Sequence, residues 1–264
     1  MQQIMESLSF NLPESFQVHL LETWPYWFTA CFCGVIALGL EILGHIVHIL
    51  FGFADKIEVR GKHLDEFEDI DNRYIGINKF LTMIFVYHVI YVTYTTPTIQ
   101  WGTENVTLLN TLGSLVAFYL CYDLCYMNFH RILHKQEFYA IIHKHHHRQK
   151  APSRGNLDAI NVHPFEFVVG EYLHLLVIYF IPCHVFAVMF FIIAGGILAS
   201  LNHTRHDIDL GFLYAVKAHD VHHRLPESNY GQYIMVWDYF FGSYVPYNEK
   251  AGNKTTKSKA TKAK

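Results

Sequence analysis

The chain has 264 residues, a formal net charge of -3, 52% hydrophobic residues and only 16% charged residues. Soluble domains carry about 25% charged residues, so this composition excludes an ordinary soluble domain. The small negative charge also gives no basic surplus for binding nucleic acid. The composition therefore predicts a protein embedded in a lipid bilayer, without a nucleic-acid partner.

Long apolar stretches follow one another along the chain. Residues 28–53, 80–96 and 108–129 are nearly uncharged, and each is close to the length of about 20 residues that crosses a bilayer. Residues 165–201 are too many for one crossing, and Pro182 interrupts them, which predicts two helices in a hairpin. That hairpin spans the bilayer fully or only dips into it.

The basic residues divide these segments between two sides of the membrane. All 20 Lys and Arg residues fall in residues 55–79, in residues 130–163 or after residue 202. Residues 1–27, the loop 97–106 and the hairpin apex hold none. The positive-inside rule places the basic side in the cytosol, so we predict a multi-pass membrane protein with its basic segments on the cytosolic side.

We predict four regions along the chain. They are a lumenal N-terminal segment (residues 1–27), two transmembrane helices with a cytosolic connector (28–107), a catalytic domain (108–249) and a disordered basic tail (250–264). The N-terminus has no basic region ahead of its apolar run, so it does not predict a cleaved signal peptide. The tail consists mainly of Lys, Thr, Ala and Ser, which cannot bury a core.

Histidines are concentrated in the second half of the chain, where 14 of the 19 lie between His130 and His223. Most of them form three clusters: His130 and His134; His143, His146 and His147; His219, His222 and His223. Spacings of three and four residues place two or three ring nitrogens on one face of a helix. Solvated loop histidines are the alternative, but they do not explain why the spacing recurs. The pattern predicts a metal site.

The supply of imidazoles exceeds what one ion can bind. Nine histidines are predicted ligands, with His206 a possible tenth: His130, His134, His143, His146, His147, His203, His219, His222 and His223. One ion takes at most about six ligands and zinc usually about four, so the sequence predicts two metal ions. An imidazole shell suits iron, copper, zinc or nickel, and the spacing does not choose among them.

Each ligating histidine needs an acceptor for its second ring nitrogen. The candidates are Asp123, Asp207, Asp220 and Asp238, and we predict catalytic roles for Asp123 and Asp220. Asp123 lies seven residues before His130, on the same face of a helix, and an acid in a membrane helix is costly unless it is paired.

The remaining histidines receive other roles. Glu41, His45 and His48 share one helix face, either as a second relay or, as we favour, in buried interhelical hydrogen bonds. His145 points away from the ligands on either side of it. His88, His174 and His184 are predicted to be structural.

At these motifs the chain resembles the sterol desaturase and fatty acid hydroxylase superfamily of membrane di-iron enzymes. The matching residues are Asp123, the three histidine clusters, His163-Pro164-Phe165-Glu166 and Asn202-His203. After the last cluster, Asn229-Tyr230-Gly231-Gln232, Trp237-Asp238 and Gly242-Ser243-Tyr244 are similar to sterol C-5 desaturases. Two features depart from the family pattern: Asn128-Phe129 stands where the family often has Tyr-Trp, and His206 follows His203 by three residues. His163 is matched as a supporting or structural residue.

The resemblance implies an all-α integral membrane helical bundle, with about four transmembrane helices plus a helical hairpin and a cytosolic histidine-rich helical cap that holds a dimetal site. It implies an oxygenase that uses two iron ions, O2 and electrons from NAD(P)H through cytochrome b5. The implied reaction is hydroxylation or desaturation of a membrane lipid, most simply a sterol, with a fatty acyl chain or sphingolipid as the alternative. Tyr119, Tyr122 and Tyr126, with Gly195 and Gly196, are either walls of a lipid channel or core packing.

A membrane metal transporter or sensor is the prediction from a different class. Transporters place their ligands near the middle of the bilayer on broken helices. Here the histidines flank the membrane ends of the apolar segments, which favours the enzyme.

Overall fold

A computed structural model describes residues 26–248, which are mainly helical. The helices are α1 (Tyr26–Leu50), α2 (Asp69–Thr95), α3 (Ser114–Leu133), α4 (Gln136–Phe138), α5 (Asn156–Ala159), α6 (Pro164–Phe180), α7 (Val185–Asn202), α8 (Val216–Arg224) and α9 (Val236–Phe241). Short π-helical turns lie at Leu109–Gly113 and Tyr139–His143, and 3-10 turns lie at Thr103–Asn105 and His146–Arg148. The predicted tail lies outside the described residues, as does almost all of the predicted lumenal segment.

Four helices within residues 26–248 are long and apolar enough to cross a membrane: Trp27–Leu50, Asp69–Thr95, Leu109–Leu133 and Val185–Asn202. This confirms the predicted all-α membrane bundle, in which three of the four spans are the predicted apolar segments before the hairpin. The first arm of the hairpin, α6, has 17 residues and packs between α2 and α3. Only the second arm, α7, is among the four candidate spans.

One end of the bundle is closed by the hairpin apex. Pro182 follows the end of α6, where its missing N–H cannot continue the helix. The next residues form strand β2 (Cys183–His184), which pairs in parallel with β1 (Ile99–Gln100). The His184 ring caps α7 by accepting from the Phe186 N–H and donates from Nε2 to the Gly102 carbonyl at 3.1 Å. The loop and the apex, both predicted on the side without Lys or Arg, therefore meet.

The other end of the bundle gathers the histidines. The last turn of α3, the first turn of α6 and the end of α7 all contribute side chains there, as the contacts below show. His163 caps α6, with Pro164 in the first helical position, where a missing N–H costs nothing. Helices α3, α6 and α7 therefore hold the histidine-bearing segments at one end of the bundle.

The apolar core lies where α3, α6 and α7 meet. Phe118, Tyr122, Ile178 and Phe191 are almost fully buried, and the Phe118 and Phe191 rings lie 5.1 Å apart between centroids. Aromatic pairs of this kind add about 0.5 to 1.5 kcal/mol beyond the burial of their area. The core fixes the three helices whose ends carry histidines.

Glu41 and His48 each form a polar contact with another segment, but only the contact of Glu41 joins two membrane helices. Glu41 on α1 forms an ion pair with Lys79 on α2, and His48 Nδ1 lies 3.1 Å from His206 Nε2. The Glu41 side chain is more than half exposed, so this pair is not buried. His206, the partner of His48, lies in the loop after α7. The predicted buried interhelical hydrogen bonds are therefore not confirmed for Glu41 or His48, and their separate partners do not form a relay.

Candidate metal centre

The nine predicted imidazoles converge in two groups. The first group consists of His130, His134, His143, His147 and His222, and the second consists of His146, His203, His219 and His223. In each group, one ring nitrogen from every member lies within 4.8 Å of those of the others. All of these residues except His134 are buried. Their role as metal ligands stays a prediction, but the geometry meets its first requirement.

The tertiary structure mixes the sequence clusters. His222 joins the first group, whereas His219 and His223, on the same helix α8, join the second. The middle cluster divides in the same way, with His146 separated from His143 and His147. The middle cluster has helical spacing, but residues 139–148 form a π-helical turn and a 3-10 turn instead of a regular α-helix. Even so, the Nε2 atoms of His143 and His147 lie 2.9 Å apart.

The hydrogen bonds of the first group leave nitrogen lone pairs facing one another. His130 Nδ1 donates to the Tyr230 carbonyl at 2.9 Å, and His143 Nδ1 donates to Glu166 Oε1 at 2.8 Å. In a neutral imidazole the other nitrogen then carries a lone pair. The two Nε2 atoms lie 3.0 Å apart. The lone pairs on these two atoms repel each other, and a cation that both atoms bind removes this repulsion.

The second group shows the same arrangement. The Nδ1 atoms of His203 and His223 donate to the carbonyls of Ala199 and Gln149, each at 2.8 Å. Both Nε2 atoms then face the single Nε2 of His219, at 3.1 Å each. One N–H at that position can donate to only one of them. A cation satisfies all three.

Buried ring nitrogens without a hydrogen-bond partner also indicate that the two groups bind metal ions. His134 Nε2 and His222 Nε2 are buried and have no hydrogen-bond partner within the described residues. Because buried polar atoms are nearly always satisfied, such atoms call for an ion or water. The donor set is all imidazole, which suits iron, copper or zinc. The residues present therefore fit two metal ions.

Electrostatics prepare these histidines for ligation. Burial, followed by the neighbouring imidazoles, lowers the pKa of His146, His219 and His222 well below the ordinary histidine value. Burial lowers the pKa of His134 to about 3, helped by His143 and Lys150. A neutral imidazole is the form that binds a metal. The site therefore presents metal-binding nitrogens at neutral pH.

Asp123 does not contact His130, which corrects the prediction that it supports this histidine directly. Its carboxylate accepts from the backbone N–H groups of Gln232, Tyr233 and Ile234 at 2.7 to 3.0 Å. Two positions seven residues apart share a helix face, but they lie about 10.5 Å apart along the helix axis. Asp123 instead fixes the loop whose Tyr230 carbonyl holds His130.

The other predicted carboxylates also bind elsewhere. Asp220 forms ion pairs with Arg205 and with Arg224, so its predicted catalytic role gains no support from a contact with a histidine ring. Asp238 accepts from the backbone N–H of Tyr230 at 2.8 Å, and it stabilises the same loop as Asp123. Asp207 pairs with Lys217 at 2.7 Å.

His206, the possible tenth ligand, lies outside both groups. Its ring contacts His48 at 3.1 Å and the Lys56 ammonium at 3.2 Å. Burial lowers its pKa to about 4, helped by Lys56 and His48. The chain turns after His203 so that residues 206 and 56 form an antiparallel bridge. This turn carries the His206 side chain away from His203.

The supporting acceptors that the sequence analysis missed are Glu166 and four backbone carbonyls. Glu166 is the only carboxylate of the described residues that bonds a ring nitrogen of either group. Its signal in the sequence is an acid two residues after His163-Pro164, within an apolar stretch. The carbonyls of Tyr230, Ala199 and Gln149, with that of Ser228 for His222, leave no signal in the sequence.

His145 and His174 lie outside both groups, as predicted. His145 Nε2 lies 2.8 Å from Asn161 Oδ1 and 3.0 Å from Asp71 Oδ1, on the side away from His146. His174 Nε2 accepts the Tyr233 hydroxyl at 2.9 Å.

One cavity within the helical bundle adjoins the site, and a second cavity lies between α3 and α7. The first, of about 190 Å³, borders Tyr126, Glu166 and Ala199 and so reaches residues that contact both histidine groups. The second, of about 570 Å³, has an almost wholly apolar wall that includes Tyr119 and opens between α3 and α7. Tyr233 lines both. The predicted wall residues Tyr119, Tyr122, Tyr126 and Gly196 line one cavity or the other, whereas Gly195 lines neither.

Residues 115–243 match the family model described as fatty acid hydroxylase, and this segment contains all nine imidazoles. The cholesterol 25-hydroxylase-like protein 1, member 2 of Danio rerio is 25% identical over 160 residues, which cover 57% of each chain. Methylsterol monooxygenase 1 of Rattus norvegicus is 28% identical over 129 residues, 45% of this chain and 42% of the relative. A Delta(7)-sterol 5(6)-desaturase of Leptosphaeria maculans is 26% identical over 137 residues, 51% and 38% of the two chains. The matches span about half the length of these relatives, and no solved structure matches.

Proposed function

We propose that this chain, a multi-pass membrane oxidoreductase of the sterol desaturase and fatty acid hydroxylase superfamily, hydroxylates or desaturates an unactivated carbon of a sterol. The observation that carries the proposal is the pair of imidazole groups with opposed lone pairs, next to a cavity within the helical bundle. The similar proteins named above are sterol hydroxylase, monooxygenase and desaturase relatives, which supports a sterol substrate.

Iron is the metal we propose for both groups, five imidazoles holding one ion and four the other. When bound, two iron ions supply the activation of O2 that removal of hydrogen from an unactivated carbon requires. Glu166 and the backbone carbonyls orient the imidazoles and fix their tautomers. Because this geometry is fixed, the side chains of the protein need to reorganise little during the reaction.

The cavity residues keep water away from the reacting carbon. Phe85, Ile192 and Phe167 give the first cavity apolar walls, while Tyr126 packs against the His130 ring at 5.3 Å between centroids. A lipid held there lies beside Glu166, which contacts His143. We propose that this cavity receives the carbon to be oxidised.

The electron supply and the orientation belong to the same proposal. We propose that electrons come from NAD(P)H through cytochrome b5, and that the histidine-bearing end faces the cytosol at the endoplasmic reticulum. All 20 Lys and Arg residues fall in the segments predicted on that side, which supports the orientation. A basic face of this kind also suits an acidic electron donor.

A fatty acyl chain is the second candidate substrate. The matching family model is described as fatty acid hydroxylase, which favours it. The apolar wall of the second cavity accommodates either kind of lipid.

The test combines metal analysis with lipid analysis. Purified full-length protein is expected to hold about two iron ions, and membranes that express it should convert a sterol to a hydroxylated or desaturated product that mass spectrometry detects. His222→Ala and His146→Ala, one from each group, should abolish conversion. His145→Ala is the matched control, because this neighbouring histidine bonds Asn161 and Asp71 instead.

Three results would contradict the proposal or its substrate. One metal ion or none in active protein would remove the dimetal centre. Conversion that survives His146→Ala and His222→Ala would remove the histidine groups from the reaction. Products derived only from acyl chains would replace the sterol by the second candidate.

A further inference from the structure

The first cavity contains a carboxyl group that the metal centre does not use. Glu171 lies on α6, five residues after Glu166, which is about 7.5 Å farther into the bundle along the helix axis. It lines the cavity, and its side chain makes no hydrogen bond or ion pair with any residue in the range 26–248. An unpaired carboxyl group on an apolar helix of the bundle is costly, and it marks a functional site unless a partner is found.

The groups around Glu171 point to a ligand rather than to packing. His174 Nδ1 donates to the Glu171 backbone carbonyl at 3.0 Å, so His174 Nε2 accepts the Tyr233 O–H at 2.9 Å. The Tyr233 oxygen therefore keeps its lone pairs for another donor. The Tyr126 hydroxyl also lines the cavity and has no hydrogen-bond partner among the described residues. Glu171 lies close enough to act electrostatically on both tyrosines.

A hydroxyl is the ligand group that fits this wall. An O–H donates and accepts, so it pairs with a carboxyl in either protonation state, and with the free oxygen of Tyr233. An ammonium pairs only with an ionised carboxylate, and a carboxylate ligand is repelled by one. Apart from such convergent polar groups, the cavity wall is mostly apolar, as in sites for small lipophilic molecules.

We infer that Glu171 is the specificity-determining residue that binds the hydroxyl group of the sterol substrate. This inference rests on the proposed function for the identity of the substrate. Because Glu171 and Glu166 line one cavity, the hydroxyl-bearing end of the sterol is the end beside the histidines. The oxidised carbon then lies in the ring system near the hydroxyl, and not at the far end of the side chain.

Equilibrium binding tests the inference without requiring turnover. Purified full-length protein in detergent binds tritiated cholesterol, which is displaced by unlabelled cholesterol or by its 3-methyl ether. The ether keeps the sterol body and loses the hydroxyl proton. The wild-type protein should bind the ether more weakly by about 10-fold or more, the loss expected for a buried hydrogen bond to a carboxyl group.

Three variants test whether Glu171 causes the preference for the alcohol over the ether. Glu171→Leu should abolish the preference for the alcohol over the ether, and Glu171→Gln should keep part of it, since an amide also donates and accepts. Glu41→Leu is the matched control, an acid on a membrane helix that does not line the cavity. It should leave the preference unchanged. Retention of part of the preference by Glu171→Gln shows that the substitutions at this position do not unfold the protein.

Specific outcomes overturn the inference. These are no measurable cholesterol binding, equal binding of alcohol and ether by the wild type, an unchanged preference in Glu171→Leu, or stronger displacement by octadecylamine than by cholesterol. Metal content and lipid products are measured on the same preparations. A protein that prefers the alcohol but holds no metal and forms no product keeps this binding site and refutes the proposed function.

Discussion

Replacing Glu166 tests whether the histidine groups are metal sites held by outer contacts. The Glu166 side chain is 6% exposed, and its Oε1 accepts from His143 Nδ1 at 2.8 Å. A hydrogen bond to a charged acceptor contributes about 1.5 to 3 kcal/mol, and loss of such an outer partner costs about 10 to 100-fold in metal affinity. Glu166→Leu should therefore weaken metal binding to the first group by about that factor.

The assay is competition for Fe(II) between the purified protein and a chromophoric chelator under anaerobic conditions. Glu166→Leu should release one metal ion per chain at chelator concentrations that leave wild-type protein loaded, while the second ion stays. Glu166→Gln should fall between them, because its amide oxygen still accepts but carries no charge. Glu137→Leu, at an exposed position on α4, is the matched control.

The thermal stability of the metal-free protein separates ligation from folding. Glu166→Leu removes a buried carboxyl group whose Oε2 has no partner, which offsets the lost hydrogen bond of His143. The melting temperature should therefore change little. Equal retention of both metal ions by Glu166→Leu and by the wild type would refute the reasoning, as would loss of metal only in proportion to loss of fold.

Three further predictions follow from the geometry. Elemental analysis of His206→Ala should find the wild-type metal content, because this residue contacts His48 and Lys56, whereas His146→Ala should lose the second ion. Acidification should release metal and destabilise the protein: burial holds the pKa of His146 below the unfolded value of about 6.5, so the unfolded chain binds more protons once the pH falls below it. Circular dichroism melts that are equally stable at about pH 7 and pH 5 would contradict this. In intact microsomes a tag at the N-terminus should resist protease and one at the C-terminus should be cleaved; the reverse pattern would place the histidines in the lumen.

The sequence was sufficient to predict the membrane class and the nine converging imidazoles. Apolar stretches of about 20 residues indicate membrane-spanning helices, because a helix of this length matches the thickness of the hydrocarbon layer. The recurring histidine spacing reports on local geometry, since residues three and four apart share a helix face. It was also sufficient to set His145 apart, because its position falls between those of the ligands.

The sequence could not predict how the imidazoles divide between two groups. His222 and His223 are adjacent, yet one belongs to each group. That division depends on where the loop of residues 139–148 lies against α8, which is a long-range contact. The local spacing is helical, but this loop has a wider π-helical turn followed by a tighter 3-10 turn instead of a regular α-helix.

The supporting contacts were decided by the tertiary structure alone. Asp123 and Asp220 have the right residue type at plausible spacing, but Asp123 binds backbone N–H groups and Asp220 binds arginines. Four of the nine histidine rings are held by backbone carbonyls, which every residue possesses, so no residue type marks these partners. The physical reason is that residue spacing fixes which side chains share a face, whereas the partner that meets this face is set by packing between distant segments.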